Sequence, residues 1–107
     1  MLERIVARQA VGSHRGDNGK PWVNLAFNAK VNFPDTFSTV PVVIVTTLQD
    51  TSVVPPYPDT FSVTVTNVTT TGFSVNITRE DSVFSEYSGS SWGQNLYISY
   101  IAEVPTQ

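Results

Sequence analysis

The 107 residues, 40% hydrophobic and only 14% charged, make one domain over residues 1–107 and exclude a disordered or fibrous chain. The absence of cysteine and the single histidine exclude a disulfide framework, a cysteine nucleophile and a multi-histidine metal centre within one chain, so no cofactor and no metal is expected. The net charge of -3 divides into five basic against two acidic residues in 1–30 and one against seven beyond, which leaves no broad basic face for nucleic acid but gives neighbouring copies opposite charges to orient by.

The predicted elements follow from Val- and Thr-rich period-two patterns, which favour pleated structure over helix. Residues 4–11 combine Ile5, Val6 and Val11 with helix-tolerant Ala7, Arg8 and Gln9, and read as a strand in company with the rest. Residues 22–33 alternate Val23, Leu25, Phe27, Ala29, Val31 and Phe33 with Asn24, Asn28, Lys30 and Asn32, and Pro34-Asp35 ends that strand with turn chemistry. Residues 40–48 are apolar at both parities, as in a strand covered on two sides. Residues 61–68 alternate as a strand and turn at 69–72 into Phe73, Val75 and Ile77, a hairpin. Residues 95–102 close the set, with Leu96, Ile98 and Tyr100 on one side and Tyr97 and Ile101 on the other. These six strands predict an all-β, six-stranded antiparallel β-sandwich.

Three segments remain as loops: 12–21, 49–60 and 80–94. The third, with Tyr87, Trp92 and Gln94 among Ser and Gly and Asn95 directly after it, has the composition of an adaptable contact surface. No apolar run reaches the length of a membrane span, so no membrane insertion is expected, and Met1-Leu2-Glu3-Arg4 shows no signal-peptide pattern.

The strings VNFPDTFSTVPVVIVTTLQDTS, VTNVTTTGFSVNITREDS and LYISYIAEV resemble the H-type lectin domain over roughly residues 27–103. The most specific pieces are Phe33, Phe37 and the P-V-V segment after them, the N-V-T-T-T-G-F hairpin ending at Phe73, and Tyr100-Ile101-Ala102, where the family more often has W-I-A. The resemblance implies a six-stranded sandwich assembled as a homotrimer, with a site for galactose or N-acetylgalactosamine near the boundary between protomers. It implies a glycan ligand, and a place outside the cell or on a virion surface. Arg79 stands where the family commonly has a ring-contacting Trp, and Asp17 is the counterpart of an N-terminal acidic contact.

Sugar recognition needs polar groups matched to vicinal hydroxyls and an aromatic face for the apolar side of the ring. The expected carbohydrate-binding residues are accordingly Asp17, Arg79, Asp81, Tyr87 and Trp92. For Trp92 a second role stands open, as a plug in the end of the sandwich or in a groove between subunits. Neighbouring Ser13 and His14 point apart on an extended chain, and Glu80, Asp81 and Glu86 have no spacing that enforces carboxylate catalysis, so no enzyme is expected. Asp50, Asp59 and Asp81 do not form a calcium loop. Two functions compete: a multivalent lectin module, and a structural or receptor-binding tip of a phage or cell-surface fibre whose sugar site is lost or altered.

Overall fold

The computed structural model describes residues 2–14, 26–50, 52, 60–80 and 92–106. Among the described residues six strands follow in chain order: β1 (Arg4–His14), β2 (Phe27–Asn32), β3 (Val42–Leu48), β4 (Phe61–Thr66), β5 (Gly72–Arg79) and β6 (Trp92–Glu103). They form two three-stranded antiparallel sheets, β1-β6-β3 and β2-β5-β4, so the first and last strands pair. The sheets meet along two seams, β1 with β2 and β3 with β4. The Gln9 amide crosses the first of these and donates to the Lys30 carbonyl at 3.2 Å.

Alternation decides which side chains enter the core. Val31, Val75, Ile77, Leu96 and Ile98 are fully enclosed between the sheets, with Ala102 beside them. Facing outward on the second sheet are Asn28, Lys30, Ser62, Thr64, Ser74, Asn76 and Thr78, a polar carpet in which Asn28 donates to Asn76 at 2.8 Å. The other sheet differs. Its outer face carries Val6, Ile101 and Ile44 in one register row, 63%, 38% and 67% exposed, so the second apolar parity of β3 lies uncovered in a single chain.

Each end of the sandwich is filled by aromatic rings. At one end Phe33 and Phe37 meet edge to face at 4.9 Å, and Phe73 packs on Tyr100 at 5.1 Å. Backbone bonds lock this end: Leu2 donates to Thr36, Phe33 to Thr71, Phe37 to Thr70 and Val104 to Glu3. The adjoining hairpin turn is held by the Thr69 hydroxyl, which accepts from the Thr71 and Gly72 amides at 3.2 Å each, while Asn67 takes a left-handed φ of 51°, a conformation that asparagine tolerates.

Strand boundaries differ from the sequence reading: β2 starts at Phe27 and β3 at Val42, and β4 ends at Thr66, inside the runs read at 22–33, 40–48 and 61–68, while β1 and β6 extend further than read. Strand β1 continues to His14 because Gly12, with φ 83°, makes a bulge rather than ending the strand. Strand β6 begins at Trp92 rather than at 95, since Trp92 and Gln94 share the core-facing parity of Leu96 and are buried with it. Trp22, Val23 and Leu25 lie outside the described residues.

Candidate functional site

The end of the sandwich opposite Leu2 and Val104 gathers the last residues of β1, β3 and β5 and the first of β2, β4 and β6. The described residues that flank all three sequence-predicted loops therefore converge here. Strand direction explains the convergence: antiparallel pairing puts His14 against Trp92, Phe27 against Ile77, Leu48 against Tyr97 and Phe61 against Arg79.

An aromatic floor underlies this end. Trp92 packs at 5.2 Å from His14, 5.6 Å from Phe27 and 5.2 Å from Phe61, and His14 stacks on Phe27 at 4.7 Å. The Trp92 Nε1 donates to the Gly12 carbonyl at 2.7 Å, and the residue is 3% exposed. Its ring is consumed by these contacts. Its burial and the bonded indole N–H fit the end-plug role left open beside the ligand-facing one.

Arg79 does reach this end. It is half-buried as the last residue of β5, on the parity of Ile77 and beside Phe61 of β4. Asp17, Asp81 and Tyr87 lie outside the described residues. Glu80, the next residue after Arg79, is anchored twice: its amide donates to the Thr60 carbonyl at 2.6 Å, and its carboxylate accepts from the Ser62 hydroxyl at 2.9 Å. The carboxylate is thereby held at the rim of the β4 side.

A cleft of about 260 Å³ opens where β3 meets β4, lined by Thr47, Leu48, Gln49, Thr60, Phe61 and Leu96. Its chemistry is mixed. Leu48, Phe61 and Leu96 supply apolar contact, while Thr47, Gln49 and Thr60 supply hydroxyl and amide groups, with the Glu80 amide bound to Thr60 beside them. Sequence reasoning missed Gln49, Thr60 and Glu80 as a group because they come from three strand ends up to 31 positions apart. The one signal for them was that all three are end residues of segments read as loops. Among the described residues no three His, Cys, Asp or Glu side chains come together as a metal site.

The fold has a solved counterpart in an N-truncated R1-type pyocin tail fibre, 18% identical, with a TM-score of 0.60 over 92% of this chain and 67% of that one. No curated protein matches the sequence. The profile of the H-type lectin domain matches residues 28–102, from β2 through nearly all of β6, and the chain belongs to that family.

Proposed function

We propose that this domain is a non-enzymatic glycan-binding module that works as a homotrimer, presenting its loop end outward from a cell surface or a fibre. The observation that carries the reading is the amphiphilic cleft at the end of the sandwich where all three long segments are anchored, in a chain of the H-type lectin family. Small-ligand sites combine apolar walls with a few placed polar groups, and this cleft, just under the usual range of about 300–1,000 Å³, suits a single sugar ring.

The site we propose takes Gln49, Thr60, Arg79 and Glu80 at this end and adds the sequence candidates Asp17, Asp81 and Tyr87. In it the carboxylates accept from paired hydroxyls, Arg79 donates, and Tyr87 supplies the ring face. The ligand class is galactose or N-acetylgalactosamine. The exposed row Val6, Ile101 and Ile44 supports the trimer, since an apolar centre flanked by the Arg4–Glu103 ion pair at 3.3 Å has the composition of an interface. Three identical sites then act together, and multivalency raises a weak single-site affinity.

A second reading draws on the burial of Trp92 and on Arg79 at the family's Trp position: a fibre tip that keeps the scaffold and recognises a receptor without a sugar. The likeness to the pyocin tail fibre accords with either reading. A glycan array probed with the purified protein separates them. Binding to galactose-type glycans supports the lectin, and a blank array leaves the tip.

A further inference from the structure

We propose that Arg8 of one protomer pairs with Asp50 of the next, and that this contact fixes how the copies follow one another around the trimer. The inference rests on the homotrimer reading above and adds to it the residues that choose the neighbour. Arg8 projects from the outer face of β1, one edge strand of the β1-β6-β3 sheet, and Asp50 follows the end of β3, the opposite edge. Strand β6 separates them.

Both groups are held in place before any partner arrives. The Arg8 guanidinium carbon lies 5.2 Å from the centroid of the Tyr97 ring on β6, which keeps the long side chain on the face of the sheet. Tyr97 in turn accepts at its hydroxyl from the Asn95 amide at 3.2 Å. Asp50 Oδ1 accepts from the Ser52 amide at 2.9 Å and from the Ser52 hydroxyl at 2.7 Å. Those two bonds, with smaller help from Asn95 and Arg8, hold the Asp50 carboxyl below its ordinary 3.8, so it is charged at neutral pH. Within one chain Arg8 acts on Asp50 only weakly, as the last of these influences.

Opposite charges on opposite edges of one face are satisfied when copies pack head to tail, each copy offering its Arg8 to one neighbour and its Asp50 to the other. Such heterologous contacts close into rings when the rotation permits. The apolar row Val6, Ile101 and Ile44 supplies area between the Arg4–Glu103 pair on one flank and this cluster on the other, while the charges select register.

The test uses charge reversal and mixing, read by sedimentation equilibrium. Arg8→Glu and Asp50→Lys, each alone, are expected to weaken association about tenfold or more, because each sets like charges against one another at every boundary. Arg8→Gln is expected to weaken it less, in the same direction. Mixing the two reversed variants is expected to recover much of the association. In a mixed trimer all boundaries but one again join opposite charges, either the introduced carboxylate with the introduced ammonium or the original Arg8 with the original Asp50, although the pair inside each chain stays mismatched. Variants that assemble like the unaltered protein, or a mixture that stays dissociated, overturn the pairing while the trimer reading stands. An unaltered protein that sediments at 11.7 kDa overturns both.

Discussion

The indole nitrogen of Trp92 bonds the carbonyl of Gly12 at 2.7 Å, and Gly12 is the residue at which β1 bulges with φ 83°. The bulge turns His14 inward, where it stacks on Phe27 and meets the Trp92 ring. One hydrogen bond thus joins the end of the first strand to the start of the last and seals the floor beneath the candidate site.

Trp92→Phe keeps most of the ring and leaves the Gly12 carbonyl without its partner. It is expected to cost about 1–3 kcal/mol, the usual penalty for a buried polar group deprived of its bond. Trp92→Ala removes the plug altogether and is expected to cost about 3–5 kcal/mol. Urea denaturation measures both, and a Trp92→Phe variant as stable as the parent would show that the bond contributes nothing.

Gly72 sits opposite Asn32 in the β2-β5 ladder, where a Cβ would collide with the backbone carbonyl oxygen of Val31. That atom belongs to a strand and cannot swing aside. Gly72→Ala is therefore expected to destabilise by about 1–3 kcal/mol through overpacking. At Gly12 a Cβ meets open space, so Gly12→Ala costs only the strain of its positive φ, about 1–2 kcal/mol. Thermal unfolding of both variants gives the comparison, and Gly72→Ala unfolding like the parent would refute the close-approach account.

Tyr100 packs against Phe33 and Phe73, and burial raises its phenol above the ordinary 10.0. The folded state thus holds the phenolic proton more tightly than the unfolded chain does. The resulting stabilisation is complete below pH 10.0 and is lost as pH rises through the higher folded value. Denaturation midpoints measured from pH 8 upward should fall in the alkaline range, and Tyr100→Phe should flatten that fall. A variant with the parent's alkaline slope would assign the effect to other groups.

Ile44 is 67% exposed at the β3 end of the apolar row on the outer face of its sheet. Ile44→Asp adds a charge to the surface we assign to the trimer and touches no core residue of its own chain. The unaltered protein is expected to sediment at three times 11.7 kDa and the variant at 11.7 kDa, with the same melting behaviour once dissociated. An unchanged assembly would place the interface elsewhere.

Much of this fold is legible in the residues themselves. The alternation of Phe27, Ala29 and Val31 and the double-sided apolarity of residues 40–48 read directly as one strand with a single covered face and another whose second face calls for a partner. Trp92 is harder. Its neighbours Ser90, Ser91 and Gly93 have loop composition, and only the parity shared by Trp92, Gln94 and Leu96 betrays a strand that starts early. Gly12 misleads in the same manner, since a glycine ends most strands on paper but here permits a bulge within one. The candidate site is legible only in part. Arg79 could be placed at a strand end from its position after Ile77, whereas the bond between Ser62 and Glu80 spans 18 residues and depends on the hairpin register that brings them together.

The loop end is expected to bind a sugar, and titration calorimetry of the assembled protein with the best glycan from an array measures that binding. Asp17→Ala and Glu80→Gln serve as the site variants, each expected to weaken binding about tenfold or more, in line with about 1–3 kcal/mol for a lost polar partner, while the assembly sediments unchanged. Trp92→Phe is expected to alter stability far more than affinity. If both site variants bind the glycan as the unaltered protein does, the ligand lies elsewhere on the sandwich and the account of this site is contradicted.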